Sequence, residues 1–517
     1  MPRIAHGAAW LAALAALWVY AMTLSPTVTW RNQGEDSGDL LVASATLGIP
    51  HPTGYPLYVL LGRVASQLPL GNIAFRINLV SALAGAASVF FLARFILEAA
   101  PTGAAGAMIC AIAASLLYAF SGGAWSQSVL AEVYTLNISL LGAILWALAR
   151  AERSGGLKPL ALAAFLFGLG LSNHLLILTA APAIALVCAR RVASRSIGPS
   201  GLVLLLLFAF WGVTMDLYLP IRAALGPEFS WGAPSTPERL LWVLTGAQYA
   251  RNFFQRGLPE IAGHLLPGRW ALDYGWGLLF LGVGAIGAAA WGARPKASPG
   301  SRPGLLLPAL AALAGALALL SAYSISDDIG YWMPVGYLCC AIAGVGVAVL
   351  WQRASGLPLL RLGLATLSTA GVALAVAGNF RAVDASGDVT PYAFAHRNLE
   401  QVEPNALIIS EYDGRTFALW FYKATDFKKS HPDLVVAYKY LLVWPWYQHH
   451  LARRYASLAV PPYSGDLDLM LNRLVARNIR RRPVYLVRDD PALASIFEVE
   501  PVGYPPMPLF RVRLREP

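Results

Sequence analysis

Long uncharged runs alternate with short polar breaks over the first 380 residues. The apolar segments lie near 8–28, 73–98, 103–120, 126–149, 159–172, 174–190, 201–220, 273–292, 304–323, 331–351 and 359–378. Most approach the roughly 18–20 residues that a helix needs to cross a hydrocarbon core, so the pattern predicts a polytopic α-helical membrane protein of about eleven spans. The first run has no small-residue cleavage site and continues into an acidic loop, which marks a retained span rather than a signal peptide.

Basic residues test this topology independently. With the N-terminus inside, Arg150, Arg153 and Lys158 fall on the cytoplasmic side, followed there by Arg190, Arg191 and Arg195, then Arg294, Lys296 and Arg302, then Arg353 and Arg361. The short loops assigned outside, 121–127, 172–174 and 324–330, contain no Lys or Arg. A first outer loop (29–72), a long outer loop (221–272) and the C-terminal tail then share the extracytoplasmic face. The long loop is rich in Pro, Gly, Trp and Arg, with a short helix predicted at Pro237–Arg251. Loops of this size usually cap a site.

After residue 380 the hydropathy turns globular. ALIIS (406–410), DLVVAYKYLL and PVYLV (483–487) read as strands, while DGRTFALWFYKAT, WYQHHLARRYASL and LDLMLNRLVARNI read as helices. Alternation of the two predicts a small α/β unit with a mainly parallel sheet. The chain thus divides into a transmembrane part, 1–379, and an extracytoplasmic part, 380–517. No solenoid repeat or low-complexity tract interrupts either.

Composition agrees with the membrane reading: 57% of residues are hydrophobic and 13% charged, about half the charged share of a soluble domain. The net charge of +11 invites a nucleic-acid function, but no aromatic-interleaved basic stripe carries it. Cys110, Cys188, Cys339 and Cys340 all lie in apolar segments, as small core residues do. HExxH, a CxxC pair, a P-loop and GxSxG are all missing, which disfavours zinc hydrolysis, Walker-type nucleotide use and serine acyl transfer.

Candidate chemistry concentrates in TWRNQGEDSGDLLVASATLGIPHPTGYPLY (29–58), where Glu35, Asp36 and Asp39 follow the first span. Carboxylates are costly to desolvate, so acids beside a span sit in a wet cavity or serve a site. Asp36 and Asp39 are three positions apart, close enough to share one site as base and orienting group. The plainer reading is that they cap a helix over Ser37–Leu47. Other span ends add Glu132, Tyr134 and Asn137, then Asn173 and His174, then Asp216, Tyr218 and Arg222, and finally Asp327, Asp328, Tyr331 and Trp332. All fall on the outer face, whereas chance decoration would use both. Singly, each has a structural explanation: His174 as a satisfied interfacial residue, Arg222 as a snorkelling cation, Glu132 as half of an ion pair.

These residues carry a family resemblance. GEDSGDLLVASATLGIPHPTGYPLYVLLGRVAS, RINLVSALAG, SVLAEVYTLN, FLFGLGLSNHLL, YLPIRAALGPEFSWGAPST with TGAQY, DDIGYWMPVGY and the tail stretch EYDGRTFALWFYKATDFKKSHPDLVVAYKYLL resemble the domain-of-unknown-function-2723 family, which includes transmembrane O-mannosyltransferases. The resemblance implies a GT-C type glycosyltransferase using a polyprenyl-phosphate sugar outside the cytoplasm, and an expected place in a bacterial inner membrane. It implies an acidic first-loop residue as catalytic base. Asp36 matches the family's Asp and Asp39 stands where Glu is commoner, which leaves the choice between them open. Direct displacement by an acceptor hydroxyl of a protein or envelope glycan inverts the anomeric carbon. Arg222 is the expected partner of the leaving phosphate, with Arg76 and Arg251 as alternatives. His51, Tyr55, Glu132, Tyr134, His174, Asp327, Asp328 and Tyr331 are the other expected substrate contacts. No metal cofactor is expected, although Asp36 with Asp39 is a pair of the kind that holds Mg²⁺ or Ca²⁺. The rival readings are a transporter or flippase of lipid-linked sugars, which predicts broken midspan helices and internal repeats, and an envelope scaffold.

Overall fold

In an apolar run, backbone polar groups have no water to bond, so they bond along the run. Each predicted apolar segment accordingly holds a helix: Arg3–Thr23, Ile73–Ala99, Ala104–Ala119, Tyr134–Ser154, Leu157–Leu171, Ala181–Ala193, Pro199–Val213, Gly277–Gly292, Leu307–Ala322, Ile329–Arg353 and Pro358–Val383. The computed structural model describes residues 3–100, 104–265, 277–292, 303–325, 327–503 and 505–515. Arg294, Lys296, Arg302 and the start of the predicted 273–292 span lie outside them.

Among the described residues, eight helices are long and apolar enough to cross a membrane, or nine if Gly106–Ala119 and Gly122–Ser128, bent by 69°, form one span. Leu157–Leu171 and Gly277–Trp291 are apolar but too short for that test, so the predicted eleven resolve into eight or nine helices of spanning length. The predicted 126–149 span also shifts. Helix Gly122–Ser128 ends early and the next begins at Tyr134, which puts Glu132 in the break between them instead of inside a span.

Ile73–Ala99, Tyr134–Ser154 and Ile329–Arg353 form the buried centre of the bundle, while Pro199–Ala224 and Pro358–Val383 keep most of their surface outward. Small residues let helices approach closely where lipid offers no hydrophobic drive for association. Gly284 and Gly346 meet this way, each where an added Cβ would strike the partner helix's backbone.

The first loop is itself folded, with a 3-10 turn at Arg31–Gln33 and helices Ser37–Thr46 and Pro56–Ala65. Beyond Val383, helix Thr390–Leu399 leads into five strands, β1 (Leu407–Ser410), β2 (Val435–Tyr438), β3 (Val484–Leu486), β4 (Glu498–Val502) and β5 (Leu509–Arg513). Their order is β2-β1-β3-β5-β4. β1 pairs parallel with β2 and β3, but β5 runs antiparallel to β3 and β4. The sheet is therefore mixed instead of mainly parallel, because the closing β4–β5 hairpin, which the pattern did not predict, adds to its far edge. Edge strand β2 is sealed: Tyr447 Oη accepts the Tyr438 N–H and Trp420 Nε1 donates to the Val436 carbonyl.

Helix Asp413–Ala424 docks this sheet onto the first loop. Gly38 packs so closely on it that a Cβ there would lie 2.8 Å from the Phe417 backbone. Trp30 Nε1 donates to the Gly414 carbonyl at 2.8 Å and Thr29 Oγ1 to Asp388 Oδ2 at 2.5 Å. Buried Lys423 on the same helix pairs with Glu228 of the long loop, and Tyr455 donates to the same carboxylate.

Candidate active site

A chamber of about 990 Å³ lies where the first loop, the long loop, the span ends and the C-terminal part meet. Clefts that hold small substrates run to about 300–1,000 Å³. Asp36, His51, Tyr55, Tyr134, His174, Asp327 and Tyr331 line it. Residues nearly 300 positions apart in the chain thus share one wall.

Helix Ser37–Thr46 separates the two candidate acids. Asp36 is its N-terminal flanking residue and makes no side-chain cap bond, leaving 44% of its side chain open. Asp39, one turn on, points inward with 2% of its side chain exposed. Its Oδ2 accepts both the His51 backbone N–H at 2.8 Å and Nδ1–H at 2.9 Å. That fixes the ring so that Nε2 faces Asp36 Oδ2 at 3.8 Å. The capping explanation for this pair fails, since neither carboxylate caps the helix.

Electrostatics follow from this geometry. Burial alone would lower the His51 pKa, but the Asp36 charge and the Asp39 hydrogen bond override it and raise it to about 9. His51 is an imidazolium at neutral pH. The enclosing protein raises the Asp36 carboxyl above its ordinary value, with Asp39 and Glu35 adding repulsion and His51 opposing them. A carboxylate held up in this way is a better proton acceptor at neutral pH.

Aromatic rings continue the wall from His51. Tyr55 meets His51 edge-on at 4.9 Å and stacks on His174 at 5.8 Å, which in turn contacts Tyr134 and Tyr331. Tyr55 adopts a left-handed backbone (φ 44°), and its hydroxyl donates to the Pro52 carbonyl. Gly54 (φ 83°) lies against Leu219, which seats the HPTGYP turn on the bundle. His174 Nδ1 accepts the Leu176 N–H at 3.0 Å, so its proton sits on Nε2. His174 is a neutral donor.

Other expected contacts lie elsewhere. Arg222 does not line the chamber. Its Nε donates to the Leu47 carbonyl at 2.7 Å, at the C-terminal end of helix Ser37–Thr46, where a cation offsets the helix dipole. Arg76 is spent on the carbonyls of Ser66, Leu70 and Gly71. Asp328 accepts from Trp332 Nε1 and faces His264. Glu132 is buried behind the wall, with Oε2 accepting the Val133 N–H. The arginine that lines the chamber, among the described residues, is Arg251, exposed and without a hydrogen bond or ion pair among them.

Sequence reasoning missed Gln33, Trp231, Gln248, Tyr249, Tyr323, Asp413, Tyr438 and Trp444, which also line the chamber. Asp413 carried a usable signal: it is the acid at the strand-to-helix turn of EYDGRTF. Tyr438 Oη donates to its Oδ1, and burial with the nearby Asp36 charge raises its pKa to about 6. Among the described residues, no three His, Cys, Asp or Glu side chains converge as metal ligands.

Comparison with known proteins places this geometry. Residues 36–197 match the family model described as the protein O-mannosyl-transferase TMEM260 N-terminal domain. The chain is similar to the protein O-mannosyl-transferase TMEM260 of Mus musculus, 25% identical over 466 residues, covering 86% of this chain and 64% of the relative. It thus spans just under two thirds of that relative's length. A Dictyostelium discoideum protein of the same description is 29% identical over 123 residues, 23% of this chain and 14% of its own. The solved structure of apo ArnT from Cupriavidus metallidurans superposes with a TM-score of 0.60 at 12% identity, covering 97% of both chains. The same protein bound to undecaprenyl phosphate gives 0.56. The fold is GT-C-like. In this GT-C-like bundle Glu35 and Asp36 of the first loop open into the chamber, and the family match begins at Asp36 itself.

Proposed function

We infer that the chain is an integral membrane glycosyltransferase that moves a sugar from a polyprenyl-phosphate donor to a protein hydroxyl on the extracytoplasmic face. The observation that carries this reading is the division of labour in the first loop. Asp36 is open to a large chamber, while Asp39 is buried and committed to His51. The likeness to O-mannosyl-transferases supports a protein acceptor, and mannose is the sugar to test first. The ArnT structure that holds undecaprenyl phosphate supports a lipid-phosphate donor.

In the proposed reaction the acceptor oxygen attacks the anomeric carbon as Asp36 takes its proton. The new C–O bond forms while the bond to the phosphate oxygen breaks, and that oxygen keeps the electron pair. One displacement inverts the anomeric configuration. Negative charge grows on the leaving phosphate, and His51 as an imidazolium and Arg251 supply the compensating charge. Asp39 acts through His51 as a positioning residue. His174 Nε2–H and the tyrosine wall bind the sugar. No metal is given a role.

The test uses the full chain in lipid nanodiscs with radiolabelled polyprenyl-phosphate mannose and Ser/Thr peptides. Asp36→Asn should lower kcat by roughly 10²- to 10⁴-fold, the usual worth of a general base, with donor KM nearly unchanged. Transfer at the wild-type rate in this variant would remove Asp36 from the mechanism. Movement of the lipid-linked sugar across the bilayer without transfer would favour a flippase.

A further inference from the structure

The chamber has two walls of different origin, and Asp36 lies between them. Tyr134, His174, Tyr323 and Tyr331 come from the ends of bundle helices, and Tyr55, at the start of the first-loop helix Pro56–Ala65, stacks on His174. Asp413, Phe417, Tyr438, Tyr440 and Trp444 come from the C-terminal part. A lipid-linked donor is confined by its tail to the bundle side, so its sugar meets the first wall. The second wall then remains for the acceptor.

That second wall is built to bind. Asp413 opens the helix Asp413–Ala424, whose next turn packs against Gly38, and Gly414 lies against Glu35. This sets the Asp413 carboxylate beside Asp36, close enough for the two charges to repel. Tyr438 at the end of β2 holds Oδ1, and Oδ2 makes no hydrogen bond among the described residues. Tyr440 follows on the wall with half its surface open, and Trp444 extends it toward the long loop. A fixed carboxylate with one free oxygen, flanked by rings, recognises a neutral chain that offers N–H donors and a hydroxyl. It does not suit a phosphate.

We propose that Asp413, with Tyr438, Tyr440 and Trp444, forms the acceptor subsite, in which Asp413 Oδ2 accepts an N–H of a hydroxyl-bearing polypeptide segment and turns that hydroxyl toward Asp36. This rests on the glycosyltransferase reading above. Asp413 is a positioning residue for the acceptor and leaves the donor untouched.

The experiment separates the two substrates. In the full chain, Asp413→Asn should raise peptide KM by about tenfold, the effect of losing one charge-assisted hydrogen bond, while the KM for polyprenyl-phosphate mannose stays within about twofold. Unchanged donor KM also reports an intact fold. Asp413→Glu should restore part of the peptide affinity. A fluorescent Ser/Thr peptide bound to the Asp36→Asn chain, with no donor present, should lose affinity by the same factor when Asp413→Asn is added. Unchanged peptide KM, or a rise in donor KM instead, overturns the subsite. Wild-type chain that transfers no sugar overturns the parent reading, while Asp413-dependent peptide binding in that case still supports the subsite.

Discussion

Replacing Asp39 by Asn tests whether this buried acid works through His51. The two side chains have the same shape, and the Asn carbonyl still accepts the His51 backbone N–H that Asp39 Oδ2 now receives at 2.8 Å. What is lost is the charge behind Nδ1. In the native chain that charge, with Asp36, lifts the His51 pKa from 6.5 to about 9, a bias toward the imidazolium of about 3 kcal/mol. Asp36 remains in the variant, so part of the rise survives and the pKa should fall by about 1–2 units. The sign follows from linkage. A histidine whose pKa is raised by folding adds stability that is complete below 6.5 and disappears as pH rises through about 9. Transfer that needs the imidazolium should have an alkaline limb in the same place. In Asp39→Asn both move down, so the variant stays near wild type at about pH 6 and loses roughly two- to tenfold at about pH 8. The assay is kcat/KM for radiolabelled sugar transfer between about pH 5 and 10, with thermal unfolding followed over the same range. Uniform loss of activity at every pH, with the alkaline limb in place, would refute the reasoning and make Asp39 itself the base.

Two further substitutions separate binding from structure. Arg251→Gln should raise donor KM by about tenfold, the worth of one phosphate-directed cation, without shifting Tm. Its side chain is exposed and makes no hydrogen bond or ion pair among the described residues. Titration of the empty chain with polyprenyl phosphate would check this directly. Arg222→Gln should do the opposite, lowering stability by about 1 kcal/mol through the lost bond to Leu47 and leaving donor KM alone. A donor KM that rises in Arg222→Gln and not in Arg251→Gln would restore Arg222 as the phosphate residue.

The helices and the first-loop acids were legible because each depends on local pattern. An apolar run must close its own hydrogen bonds wherever it lies in the bilayer, so the eleven segments show in hydropathy even where two helices stop short of spanning length. The cluster at the ends of the spans was also legible, since one face collects the ionisable groups. The antiparallel β4–β5 edge was not, because the direction of a strand added to a sheet depends on its tertiary partners.

What the sequence alone determined is the class of molecule, the segment that bears the acids, and the span ends that accompany it. Only the tertiary structure separated their surroundings. Asp36 and Asp39 are the same residue type one helical turn apart, and nothing local distinguishes them. One faces water because the chamber opens on its side of the helix, and the other faces His51 because the turn after Pro50 folds back over it. Arg222 is held at the Leu47 carbonyl while Arg251 reaches the chamber for the same reason: a cation's surroundings are set by distance in space, not along the chain.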